Sequence, residues 1–230
     1  MRTVYLLVIS TLIVWANPLT LELTGISVRH THADGTVENV RIERNIPSTC
    51  LDVGIQTETI FGGNYAGTKV AKECQKSFVT VVGKAQPMSI APGVQTVGEV
   101  EVLDFIAHKL SSMPQEYILV DSRKRDWFEQ MTIAGSVNIP YDEIDFDSDF
   151  PEDSKRMMHL LGFEQTEKGY DFTKAKKALF FCNGPWCAQS RYAIQKLIKL
   201  GYPKEKLLWY RGGLQDWLIF GFSVVKPVSR

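Results

Sequence analysis

The chain has 230 residues, of which 26 are basic, 26 acidic and 44% apolar, enough to bury the core of one large domain or two small ones. Balanced charge supplies no global field for a polyanion, and basic clusters such as Arg123-Lys124-Arg125 are local, so no nucleic-acid partner is expected.

Met1-Arg2 gives a short positive start, Val4 to Val14 is almost wholly apolar, and Val14-Trp15-Ala16 places small residues before a cut after Ala16. That is the pattern of an export signal. The apolar run falls short of the roughly 20 residues of a membrane span. No stable membrane span is expected after signal cleavage, and a periplasmic or secreted location follows; an uncleaved anchor or buried first strand is the alternative. An oxidising compartment permits disulfides among the four cysteines.

Leu19, Leu21 and Leu23 alternate with polar neighbours, and Ile26 and Val28 continue the pattern. Ala33-Asp34-Gly35-Thr36 is a turn signal, with Val40 and Ile42 on the returning strand of a hairpin. Thr68 to Lys76 reads as a short helix, Phe78 to Val82 as a strand, and Lys84 to Gly93, with Pro87 and Pro92, as a linker. Three segments are expected: 1–16 a signal peptide, 17–90 a β-rich domain, 91–230 a second domain. Within 17–90, Cys50 and Cys74 are expected to form a structural disulfide, contributing about 3 kcal/mol by restricting the unfolded chain.

Beyond the linker, helices and strands alternate. Glu99 to Leu110 is amphipathic, with Val100, Leu103, Ile106, Ala107 and Leu110 on one face. Tyr117 to Val120 is a buried strand running into Asp121, and Ser136 to Ile139 a short strand stopped by Pro140. Ser154 to Leu161 and Ala188 to Leu200 read as helices, Ala178 to Phe181 and Leu207 to Tyr210 as strands, and Leu214 to Phe220 as a closing helix. Short continuous apolar strands between helices predict an α/β fold, a mostly parallel sheet covered on both faces. Functional groups in such sheets sit at the carboxyl ends of strands, where Asp121 and Cys182 both fall.

Cys182 ends its strand and is followed by Asn183-Gly184-Pro185-Trp186-Cys187-Ala188-Gln189-Ser190 and then a helix. A thiol between a strand end and a helix N-terminus meets unpaired N–H groups and the positive end of the helix dipole, which favour a thiolate. The spacing Cys-x4-Cys is not a zinc signature, and no His pair completes four ligands. No metal is expected, and no cofactor: there is no dinucleotide fingerprint or phosphate-cradling lysine loop. A phosphatase would want Cys-x5-Arg, but position 188 is Ala.

These landmarks give the second domain its resemblance. Leu119-Val120-Asp121-Ser122-Arg123, then Phe128 leading to Ile133-Ala134-Gly135-Ser136-Val137-Asn138-Ile139-Pro140, then the Cys182 loop with Leu200-Gly201-Tyr202 closing its helix, then Tyr210-Arg211-Gly212-Gly213 before Trp217, follow in an order similar to a rhodanese. The loop resembles those of exported rhodanese-like proteins with a second loop cysteine. The resemblance covers roughly Val94 to Lys226. It implies transfer of sulfane sulfur, with thiosulfate as the usual test donor and a thiol or cyanide as acceptor. Cys182 is then the nucleophile that carries the persulfide, stabilised by loop amides converging on the anion.

Departures bear on the donor site. The loop is about two residues longer than the shortest in the family, and it has Cys187 and Ala188 where many members place an arginine. Arg191, Arg123 and Arg211 are the candidate cations, each with a structural role as its alternative. Asp121 is expected to brace the loop, with Arg123 as its partner, because a carboxylate beside a thiolate raises the thiol pKa. Trp186 walls the pocket or merely packs. Cys187 could resolve a persulfide, protect Cys182, or lock the loop in a disulfide. Three functions stay open: an exported sulfurtransferase, a thiol–disulfide oxidoreductase with a redox partner protein, and a catalytically idle binding module.

Overall fold

The computed structural model describes residues 25–43, 86–144 and 151–227. The signal segment, the Cys50–Cys74 pair, the helix at Thr68 to Lys76 and the strand at Phe78 to Val82 lie outside the described residues. Among those described, no helix is long and apolar enough to cross a membrane.

The amino-terminal hairpin is present: β1 (Ile26–Thr31) pairs antiparallel with β2 (Val37–Ile42). The turn between them is closed by Asp34, whose carboxylate accepts from the amide and hydroxyl of Thr36 at 2.9 and 2.7 Å, the local side-chain bonding that makes aspartate a turn former.

Five parallel strands form the main sheet: β3 (Gln95–Val97), β4 (Tyr117–Asp121), β5 (Ser136–Asn138), β8 (Lys177–Phe181) and β9 (Leu207–Tyr210), in the order β3-β9-β8-β4-β5. A small polar hairpin, β6 (Glu164–Thr166) with β7 (Gly169–Asp171), stands apart. Each central strand feeds both faces of the sheet, because successive side chains point to opposite sides. Leu119, Leu179, Phe181, Leu208 and Tyr210 enter one apolar cluster; Ile118, Val120, Ala178, Phe180, Leu207 and Trp209 enter the other.

The first face is covered by helix α1 (Glu99–Asp104) and its continuation Phe105–Leu110, and by the last helix. The hairpin closes the same cluster: Val28 and Ile42 pack with Leu103, Ile106 and Ile133. The face predicted for this helix is displaced. Val102 and Phe105 are buried while Val100 is half exposed, and Phe105–Leu110 winds as a π-helix, with a bond from Ser111 N–H to Ile106 O of 3.2 Å. The wider i→i+5 turn rotates the apolar stripe.

The second face is covered by α3 (Pro151–Leu161) and α4 (Gln189–Leu200), through Met157, Leu161, Ala193, Ile194 and Leu197. A short α2 (Arg125–Phe128) lies between β4 and β5. Helix α4 stops at Gly201, which takes the left-handed conformation at φ 97° and donates to Ile198 and Leu197 carbonyls, a cap that disfavours any residue with a Cβ. Helix α5 (Gly213–Ile219) completes the fold.

Candidate active site

Side-chain alternation places the two strand-end candidates on opposite faces. Asp121 follows Leu119 and pairs in register with Phe181, so its carboxylate faces the hairpin side. Cys182 continues the alternation of Ala178 and Phe180, so its thiol faces the α4 side. The structure does not bring Asp121 and Cys182 side chains together.

Asp121 is fully engaged elsewhere. Its carboxylate accepts from Arg123 Nε at 2.9 and 3.1 Å, Arg123 Nη2 at 2.7 Å, the Arg123 amide at 3.0 Å and Thr132 Oγ1 at 2.7 Å. Both partners are buried, Asp121 wholly and Arg123 to 2% exposure. Asn138 Nδ2 donates to the carbonyls of Asp121 and Arg123 at 2.9 Å each. This corner braces the end of β4, and Arg123 is not free to meet a substrate anion.

At the end of β8, Cys182 is 2% exposed. Its sulfur accepts from Ser190 Oγ at 3.1 Å, and Ser190 Oγ in turn accepts from Trp209 Nε1 at 3.0 Å. An indole N–H can only donate, so the serine hydroxyl must take that bond and aim its own proton at the sulfur. Trp209 was not anticipated. Its signal was the same alternation: it lies opposite Phe180 in register and shares a face with Cys182.

Cys187, 5% exposed, is held in the same loop. Asn183 Nδ2 donates to its sulfur at 3.8 Å, its thiol reaches Gln189 Oε1 at 3.5 Å, and its carbonyl accepts from the Cys182 thiol at 3.3 Å. The two thiols share one buried loop, so the ionisation of each bears on the other. Cys187 is lowered to about 7, first by the hydrogen bond from Cys182 and then, against burial, by the amides of Asn183 and Gln189 and the Asn183 side chain. Cys182 is pushed up, first by burial and then by Cys187, with only the Ser190 hydroxyl and amide opposing.

The loop amides expected to converge on Cys182 divide between the two sulfurs, Ser190 serving Cys182 and Asn183 and Gln189 serving Cys187, while the carbonyl of Cys187 faces the Cys182 sulfur. Of the two thiols, Cys187 is the more acidic.

The loop is clamped from two sides. Leu214 and Gln215 amides, at the start of α5, donate to the carbonyls of Cys182 and Asn183 at 2.9 and 2.8 Å. This close approach needs Gly213, at φ 58°: a Cβ there would collide with the Cys182 carbonyl and lie 2.7 Å from the Gly184 amide. Trp186 Nε1 donates to Gln215 Oε1 at 2.7 Å, fixing the indole. On the other side the Gln86 amide donates to Pro185 O at 2.8 Å, and Arg211 donates through Nε and Nη2 to Gln86 O at 3.1 and 2.9 Å. Arg211 is thus a strut for the loop. Nothing in the sequence marked Gln86 or Gln215, since both act through chain segments that meet only in the fold. Arg191 lies with its guanidinium 5.1 Å from the Tyr192 ring centre, and its buried Nε has no hydrogen-bond partner. Ala188 precedes α4 without a side-chain cap.

The profile of the rhodanese-like domain matches residues 107–219. No curated protein gives a significant match. Among solved structures, a rhodanese with anions from E. coli is 22% identical, covering 48% of this chain and 98% of its own at a TM-score of 0.31. A rhodanese-related protein from Thermoplasma volcanium is 22% identical, covering 57% and 98% at 0.37. Saccharomyces cerevisiae Ygr203w, described as a homolog of single-domain rhodanese and the Cdc25 phosphatase catalytic domain, is 16% identical, covering 62% and 94% at 0.42. The profile match spans the strand-loop-helix unit that carries both loop thiols, and on that match residues 107–219 of this chain are a rhodanese-like domain.

Proposed function

We propose that this chain is an exported sulfurtransferase that moves sulfane sulfur from a donor such as thiosulfate through a persulfide on Cys182. The observation that carries the reading is the Ser190 hydroxyl, aimed at the Cys182 sulfur from 3.1 Å with Trp209 behind it. A hydroxyl oriented by a second donor is preorganised for an anionic sulfur.

Because Cys182 rests protonated beside a more acidic thiol, the Cys187 thiolate is the base that takes its proton as it attacks. The Cys182 sulfur then bonds to the outer sulfur of thiosulfate, the S–S bond breaks, and sulfite leaves with the electron pair. Arg191, whose Nε has no internal partner, is the cation assigned to the donor anion. A thiol or cyanide then removes the sulfur. Residues 1–16 leave on export, and 17–90 and 91–230 remain as one mature chain, the hairpin seated on the core of the second unit. Cys50 and Cys74 form the structural disulfide.

Two free, buried thiols in one loop, with the Cys182 sulfur 3.3 Å from the Cys187 carbonyl, favour a second reading, a thiol–disulfide oxidoreductase with a redox partner protein. Sulfite release from thiosulfate decides between them. The expected result is sulfite release with the mass gain of one sulfur atom on the peptide carrying Cys182, both lost in Cys182→Ser. Turnover of a protein disulfide with no sulfite release would replace the proposal with the second reading.

A further inference from the structure

We infer that the first acceptor of the Cys182 persulfide is Cys187 of the same loop, so that the domain reduces sulfane sulfur to hydrosulfide and stores the two electrons' oxidation as a Cys182–Cys187 disulfide. This rests on the sulfur-transfer reading above and goes beyond it, because the product is hydrosulfide rather than a sulfurated acceptor.

The geometry limits the alternatives. Cys182 lies 2% exposed at the start of a loop clamped by Gln215, Gln86 and Arg211. An external thiol has to reach a buried atom. Cys187 is already in contact, its carbonyl 3.3 Å from the Cys182 sulfur, and its own sulfur is oriented by Asn183 Nδ2 at 3.8 Å and Gln189 Oε1 at 3.5 Å. Holding two reactants in contact replaces a bimolecular encounter by an internal step, the effect that well-oriented intramolecular reactions exploit.

Charge favours the same direction. Of the two thiols, Cys187 is the one that ionises near neutrality, at about 7. It hands that role to Cys182 during sulfur uptake and recovers it on losing the proton to solvent. A thiolate whose pKa lies near the ambient pH combines ionisation with nucleophilicity.

The step balances. The outer sulfur of the persulfide takes a proton from water, the Cys187 thiolate attacks the Cys182 Sγ, a new Sγ–Sγ bond forms, the bond to the outer sulfur breaks, and that sulfur leaves as hydrosulfide with the electron pair. The sulfane sulfur gains two electrons and the two cysteines lose them. A dithiol reductant, small or protein-borne, then resets the pair by thiol–disulfide exchange.

The test is a single turnover with thiosulfate on the full chain, reduced beforehand and freed of reductant, with no acceptor added. Sulfite and sulfide are quantified, and the cysteines are located by peptide mass mapping. Wild type is expected to release sulfide in step with sulfite and to acquire a Cys182–Cys187 disulfide. In Cys187→Ser and Cys187→Ala, which also lack the base and take up sulfur more slowly, sulfide falls to background and the sulfur that is taken up stays on Cys182. A wild-type protein that releases sulfite but keeps the persulfide, without sulfide or the loop disulfide, overturns the inference and leaves sulfur transfer standing. A sulfur adduct found on Cys187 while Cys182 remains a thiol also overturns it. No sulfite and no adduct in wild type removes the sulfur-transfer reading itself.

Discussion

Two neighbouring strands of one sheet end in two differently built corners. At the end of β4, the Asp121 carboxylate is met by Arg123 and Thr132 through short bonds of 2.7 to 3.1 Å. At the end of β8, a pair of thiols is held by contacts of 3.1 to 3.8 Å that involve sulfur. The first corner has opposite charges satisfied by geometry. The second holds two thiols of unlike acidity, among soft bonds that tolerate a change of charge. Strand parity keeps them on opposite faces, so the carboxylate does not raise the cost of ionising the thiols.

Asp121→Ala breaks the first corner. It leaves the Arg123 guanidinium buried without its counter-charge, and removing one partner of a buried pair costs about 3–5 kcal/mol. Urea unfolding with an unchanged m-value measures the loss. A cost under about 1 kcal/mol, the range of an exposed pair, would deny the corner its bracing role.

Ser190→Ala acts on the second corner with a smaller stability effect. The Trp209 N–H loses its acceptor, and an unsatisfied buried donor costs about 1–3 kcal/mol. The chemistry should suffer more than the fold. Without the hydroxyl the Cys182 anion loses its main support, so persulfide formation slows, whereas Ser190→Thr, which keeps a hydroxyl, restores much of it. Equal rates in Ser190→Ala and wild type at matched folded fraction would leave the serine a packing residue only.

How much of this contrast could be read beforehand depends on the length scale of the signal. Strands β4, β8 and β9 and helix α4 were legible because each is a continuous apolar run or a clear helical stripe, ended at Gly201 by a residue suited to the left-handed cap. Strand β3 and the β6–β7 hairpin were not, being three-residue elements of mixed or polar composition. The Cys182 loop was legible from its place between strand and helix, and the Asp121–Arg123 pair from a carboxylate at a strand end with a cation beside it in sequence. The ionisation order of the two thiols was not. It depends on which way the Cys187 peptide turns, and five residues of loop sequence do not dictate that. Trp209, Gln215 and Gln86 enter the site from segments far along the chain, where only register or packing brings them in.

The last contrast concerns where the charge rests. Cys187 is an acid whose pKa is lowered, so it loses its proton at lower pH than an ordinary thiol, and its thiolate fraction rises through about pH 7. Alkylation by iodoacetamide, followed peptide by peptide, should therefore label Cys187 with a midpoint near that value, while Cys182 lags to higher pH. The largest cause of the lowering is the hydrogen bond from Cys182. Cys182→Ala removes that donor, and the Cys187 midpoint should move up. Asn183→Ala removes only the weaker side-chain contact at 3.8 Å and should move it less, in the same direction. If Cys182 were labelled first in wild type, the charge would rest on the buried sulfur, and Ser190 with its Trp209 support would outweigh burial.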